Sequence, residues 1–179
     1  MSKKVLVLSS SPRRNGNSDL LCDQFITGAR EAGHQVEKVS LKDNKINYCT
    51  GCGVCVDKPG TCSQKDDMAE ILDKMIGAEV IVMATPVYFY TMCGQMKTLI
   101  DRTCSGYTQI SKKEFYFIVT AADTNVKAMN RTIEEFRGFT YCLENPVEKG
   151  IVYGTGAWKA GEIKGSKAMN QAFDMGSRV

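Results

Sequence analysis

The stretch Val5-Leu6-Val7-Leu8-Ser9-Ser10-Ser11-Pro12-Arg13-Arg14-Asn15-Gly16-Asn17-Ser18 decides the fold. Its first four residues are apolar without alternation. They read as a strand buried on both faces, the mark of a parallel sheet. A loop of hydroxyls, amides and small residues follows at once. Asn17-Ser18 then offers a helix N-cap, and Leu20, Leu21, Cys22, Phe25 and Ile26 recur at helical spacing.

The same alternation continues outward. The pattern predicts strands at Gln35 to Leu41, Val80 to Ala84, Phe115 to Thr120 and Gly150 to Tyr153. It predicts helices from Asp66-Asp67 to Gly77, Thr91 to Cys104, Arg131 to Phe136 and Ser166 to Met175. Strands alternating with helices imply βαβ units with right-handed crossovers. The expected fold is therefore α/β: a flavodoxin-like α/β/α sandwich on a five-stranded parallel sheet of order 2-1-3-4-5. One domain over residues 1–179 is expected, interrupted by a Cys-rich loop at 47–65.

Composition narrows the function. Charged residues make up 24% and hydrophobic ones 43%, ordinary for a globular chain. The formal charge is +3 and no basic run exceeds a pair, so nucleic acid is not an expected partner. The first apolar stretch is too short for a signal peptide, and no apolar run reaches the ~20 residues of a membrane span. A cytoplasmic protein is expected. In that compartment eight cysteines do not read as a disulfide scaffold. Cys22, Cys93, Cys104 and Cys142 are scattered and read as small core residues. His34, the only histidine, reads as a surface residue.

In an open parallel sheet, ligands sit beyond the carboxyl ends of the strands where the strand order reverses. Three loops fall there. Ser11 to Ser18 opens directly into a helix, whose first N–H groups suit a phosphate. Neither a G-x-G-x-x-G nor a G-x-x-x-x-G-K-[ST] pattern is present, which disfavours a dinucleotide fold or a P-loop. Thr85-Pro86-Val87-Tyr88-Phe89-Tyr90 places three aromatics after a buried strand, where a planar ring could stack. Ala121-Ala122-Asp123-Thr124 is small and polar, and fits the edge of a flat ligand.

A phosphate on one loop and a flat ring on the next describe a mononucleotide. Ser11 to Ser18, followed by Thr85 to Phe89, resembles the NADPH-dependent FMN reductase family. Gly154 to Gly161, with Trp158, resembles that family's last strand-to-helix connection. The resemblance implies FMN, with its phosphate on Ser11, Arg13, Asn17 and Ser18. Its ring system would lie on Pro86, Val87, Tyr88 and Phe89, closed at the far edge by Ala121, Ala122 and Asp123. The family often carries Gly where this chain has Ser10 and Tyr90, and a Gly pair near Ala122-Asp123.

Cys49, Cys52, Cys55 and Cys62 form C-x₂-C-x₂-C-x₆-C. Thiolates at such close spacing suit an iron–sulfur cluster or zinc. The arrangement resembles the iron–sulfur flavoprotein subgroup, which implies a [4Fe–4S] cluster on these four residues. Reduced structural thiols and a redox disulfide stay open as alternatives.

The expected activity is an FMN-binding oxidoreductase. NAD(P)H would reduce the flavin, and electrons would pass on to a small-molecule or protein acceptor. An electron carrier with FMN and a cluster, fed by ferredoxin, is one alternative; a flavin-less metal- or thiol-sensing module is another. No catalytic acid or base is nominated, because the flavin carries the chemistry. The resemblance also implies a homodimer or homotetramer.

Overall fold

Along β1 (Lys4–Ser9) neighbouring side chains fall on opposite faces of the sheet, and both sets are buried. Val5 and Val7 join one apolar cluster, Leu6 and Leu8 the other. This double burial is why the strand carries no polar alternation. The computed structural model describes residues 1–179. The further strands are β2 (Gln35–Ser40), β3 (Val80–Tyr88), β4 (Thr91–Met92), β5 (Glu114–Thr120) and β6 (Val147–Gly154). Five of them form a parallel sheet in the order β2-β1-β3-β5-β6, the topology expected from the sequence. The sixth, β4, is short and pairs antiparallel with the end of β3.

The helices are α1 (Asn17–Glu31), α2 (Val54–Asp57), α3 (Met68–Gly77), α4 (Gly94–Arg102), α5 (Asn130–Tyr141) and α6 (Lys167–Gly176). α1 and α6 cover the face bearing Val7, Val82 and Ile118. α3, α4 and α5 cover the face bearing Leu8, Met83 and Phe117, where Phe117 stacks on Phe136 with centroids 4.8 Å apart. None of the helices is long and apolar enough to cross a membrane.

Three expectations are corrected. The sequence pattern runs one helix from Thr91 to Cys104, but Thr91–Met92 is a strand. Glu135 takes the Met92 N–H at 2.7 Å and Thr85 Oγ1 takes the Cys93 N–H at 3.1 Å, so neither donor serves a helix. α4 starts only at Gly94 and ends at Arg102, followed by a 3₁₀ turn over Thr103–Ser105. Cys22 and Cys93 are buried, as small core residues should be, but Cys104 and Cys142 are exposed. Both lie just past a helix end, where the helical period no longer points them inward. His34 is half-buried rather than free on the surface, and its Nδ1 accepts the Lys3 N–H at 3.1 Å.

α1 and α6 touch backbone to backbone. A Cβ on Gly28 would stand 2.2 Å from the Phe173 carbonyl oxygen, and one on Gly176 would stand 2.1 Å from that of Phe25. Glycine at both positions sets the helix spacing. Gly28→Ala should therefore cost about 1–3 kcal/mol through overpacking. At this size that lowers the melting temperature by roughly 2–4 °C per kcal/mol. Thermal unfolding followed by circular dichroism reads it, and an unchanged melting point would contradict the close approach.

Candidate functional site

The strand order reverses between β1 and β3, and α1 begins there. No side chain caps α1, and the N–H groups of Asn17, Ser18 and Asp19 bond nothing else in the chain. Ser18 Oγ is buried without a partner. Gly16 lets the loop close above these donors: a Cβ there would stand 2.2 Å from Ser11 Oγ and 3.1 Å from the Arg13 carbonyl oxygen. The result is a small cradle of unpaired donors at the positive end of a helix dipole.

The Asn17 side chain is committed elsewhere. Its Nδ2 donates to the carbonyls of Ala157 and Lys159, and its Oδ1 accepts the N–H groups of Gly161 and Ile163. It pins the loop after β6 over the start of α1. Arg13 fastens the same loop by donating to the Trp158 carbonyl at 2.7 Å. Glu162 accepts the N–H groups of Trp158 and Lys159, and these bonds hold its carboxyl below the usual range. Ser10, which stands where the family often has Gly, is buried and donates its hydroxyl to the Ala84 carbonyl at 2.8 Å, tying β1 to β3.

Beyond Ala84, β3 continues through Thr85, Pro86, Val87 and Tyr88 and turns back into β4. The two turn residues, Phe89 and Tyr90, have φ of 51° and 63°. Bulky side chains rarely adopt that region, and such strain concentrates at functional loops. Phe89 is 98% exposed. Tyr90 Oη lies 3.5 Å from Asp123 Oδ2.

One cleft of about 120 Å³ gathers the three loops. Nine of the sequence-nominated residues line it: Ser11, Arg13, Asn17 and Ser18 from the first loop, Pro86, Val87 and Tyr88 from the second, and Ala121 and Ala122 from the third. Phe89 and Asp123 do not. Phe89 points to solvent at the tip of the turn, and Asp123 Oδ1 accepts the Asn125 N–H. Gly16, Thr120, Ala157 and Trp158 complete the lining, although the loop reading did not nominate them. Ligand pockets usually exceed 300 Å³, so this cleft has room for only part of a molecule the size of a mononucleotide.

A second cavity, about 180 Å³, lies beside the C-terminal end of α4 and holds all four clustered cysteines. Cys104 lines it as a fifth thiol. One ion pair closes the loop that carries the four. Arg102 forks onto Asp66, with N–O distances of 2.7 and 2.9 Å, and their side chains are 2% and 0% exposed. Arg102 also donates to the Asn47 carbonyl at 2.6 Å and to Cys62 Sγ at 3.6 Å. It thereby fastens the loop on both sides of the cysteine run. Ser63 Oγ lies 3.2 Å from Cys52 Sγ, and its hydrogen bond, with one from the Val54 N–H, pulls that thiol below its usual range. These donors suit sulfur in its anionic, metal-ligating form. As the side chains stand, no three ligating groups converge on a common point. The cleft's hairpin leads into the N-terminus of α4 and the cysteine cavity adjoins its C-terminus, about 14 Å apart along nine residues.

The model of the NADPH-dependent FMN reductase family matches residues 3–139. The chain belongs to that family. Within it, an iron–sulfur flavoprotein of Archaeoglobus fulgidus is 30% identical over 98% of this chain and 93% of its own length. Another from the same organism is 41% identical over 55% of this chain, a match spanning only 44% of that relative. Iron-sulfur flavoprotein MJ1083 of Methanocaldococcus jannaschii is 41% identical over 56% of this chain and 51% of its own. The chain thus spans about half the length of some relatives and nearly all of another. Among solved structures, an NAD(P)H:quinone oxidoreductase from Methanothermobacter marburgensis superposes with a TM-score of 0.71 at 16% identity, covering 99% of this chain and 97% of that one. Azoreductase AzrA gives 0.74 at 15% identity, over 98% and 100%. These two structures support the family's flavodoxin-like fold.

The Arg102–Asp66 clasp makes a testable case within this member of the family. Arg102→Ala leaves the Asp66 carboxylate buried and unpaired, which should cost about 3–5 kcal/mol. Urea unfolding measures this. Arg102 holds the Asp66 pKa down to about 2. A depressed carboxyl pKa contributes stability above its unfolded value near 4, and loses it as pH falls through about 2. Limited digestion by an acid protease should therefore open residues 47–66 at pH 2 but not at pH 4. Equal cleavage at both would contradict the clasp.

Proposed function

We propose that this chain is an FMN-dependent oxidoreductase that accepts electrons from NAD(P)H and passes them to a small-molecule or protein acceptor. The observation that carries this is the single cleft in which an uncapped helix start meets an aromatic-bearing strand end. When bound there, FMN supplies hydride acceptance from a nicotinamide and onward electron transfer.

The chain's residues divide the work of holding it. Ser11, Ser18 and the free N–H groups at the start of α1 take the phosphate. Arg13 adds positive charge at the rim. Asn17 acts by position, since its side-chain hydrogen bonds already hold the loop after β6. Pro86, Val87 and Tyr88 form the shelf for the ring system, and Ala121 and Ala122 leave room at its edge. Phe89 and Asp123 stay outside this set. No side chain in the cleft is assigned a proton-transfer role.

The cysteine cavity favours a second centre. Four thiols around one space, with the Arg102 and Ser63 donors set against two of the sulfurs, support a [4Fe–4S] cluster on Cys49, Cys52, Cys55 and Cys62. The same chain would then serve as a carrier between two-electron and one-electron partners. A homo-oligomer is the proposed assembly, supported by the solvent-facing Phe89. Light scattering reads that state, and a monomer at all concentrations would oppose it.

Fluorescence titration tests the flavin site. FMN should bind at least tenfold more tightly than riboflavin, since charge-assisted hydrogen bonds contribute about 1.5–3 kcal/mol and 1.4 kcal/mol is tenfold. Gly16→Val should abolish that preference by pushing Ser11 aside. Equal affinity for both flavins would overturn the phosphate cradle. Protein purified without oxygen should carry about four irons per chain and a broad absorbance beneath the flavin bands. An iron-free yellow protein that takes up no iron would remove the cluster.

A further inference from the structure

Cys104 lies outside the spaced cysteine run, and a four-thiolate set is complete without it. The fold nevertheless delivers it to the same cavity. Its Sγ stands 3.7 Å from Cys55 Sγ, and the two thiols share a hydrogen bond. No other pair among the eight cysteines makes such a contact. Both carriers are anchored. Cys55 sits on α2, and Cys104 sits on the 3₁₀ turn after α4. The Gly60 N–H donates to the Ser105 carbonyl at 2.7 Å, which binds the cysteine loop to that turn. Arg102, two residues before Cys104, clasps the loop from its other side. Cys55 is half-buried and Cys104 exposed, so a small oxidant reaches the pair. A disulfide spans about 2.05 Å, so closing the pair needs an approach of only about 1.6 Å.

We propose that Cys55 and Cys104 form a reversible dithiol–disulfide site whose oxidant is a peroxide. One thiolate of the pair attacks a peroxide oxygen, breaking the O–O bond and leaving a sulfenic acid and one water or alcohol. The second thiol attacks that sulfenyl sulfur, forms the S–S bond and releases water. Two thiols and one hydrogen peroxide thus give one disulfide and two waters. A small dithiol restores both thiols by exchange. Closure removes Cys55 from the cysteine set, so a cluster cannot be assembled until the bond is reduced. The disulfide rests on the thiol contact alone; only its consequence for the cluster rests on the proposed second centre.

Metal-free full-length chain is reduced, freed of reductant, treated with one equivalent of hydrogen peroxide, alkylated and digested with trypsin. Tandem mass spectrometry should find residues 46–65 joined to 103–112, with fragment ions placing the bond at Cys55 and two thiols lost per chain. Cys104→Ser should lose that link. Iron and sulfide reconstitution follows in parallel. Oxidised wild type should take up at least fivefold less iron than reduced wild type, dithiothreitol should restore it, and Cys104→Ser should load equally well in both conditions. A link through Cys49, Cys52 or Cys62 instead, or no link to Cys104, would overturn the proposal. So would normal iron uptake by chains already bearing the Cys55–Cys104 bond. Failure of fully reduced wild type to load iron would count against the cluster alone, while the mapped bond would still support the disulfide.

Discussion

At the start of α1 three backbone donors and one serine hydroxyl have no partner within the chain. Buried polar groups without partners are costly, and folded proteins rarely keep several side by side. Here they collect at the one place where the sheet's strand order reverses, with a helix dipole behind them. The surroundings keep that arrangement open. Asn17, a capping residue type, is spent on the loop after β6 instead. Gly16 leaves no Cβ to fill the cradle. An anionic ligand would complete the hydrogen bonding that the protein leaves undone.

The rest of the molecule positions this cradle. The strain at Phe89 and Tyr90 turns β3 back on itself, so that Pro86 to Tyr88 stand beside the cleft instead of running on into α4. α4 then carries the chain to the second cavity, where a single buried ion pair does for the cysteine loop what Asn17 does for the cleft. Both loops are irregular and depend on one polar side chain that bridges their ends. The difference is charge. The Asn17 contacts are neutral and independent of pH, whereas the Arg102 clasp weakens in acid because Asp66 must stay ionised.

Much of this was legible in the sequence, for identifiable reasons. Strands buried on both faces leave unbroken apolar runs, so β1 and β3 and their order in the sheet could be read directly. The loop from Ser11 to Ser18 is continuous in sequence, so its place between β1 and α1 at the strand ends was readable. What escaped was long-range. Ala157 and Trp158 reach the cleft only because Asn17 and Arg13 bond across more than 130 residues. Cys104 read as a core residue because it stands apart from the spaced cysteines at the end of an expected helix, but the helix stops at Arg102. The pairing of Arg102 with Asp66 spans 36 residues and has no local signature.

The most direct measurement is a nitrogen-15 amide shift map of the chain titrated with FMN. The account predicts that the amides of Ser11, residues 13–19, Val87, Tyr88 and residues 121–122 move together with a single saturation curve, while those around Cys49 to Cys62 stay in place. Shifts confined to one of the three loops, or centred on another face of the sheet, would contradict it.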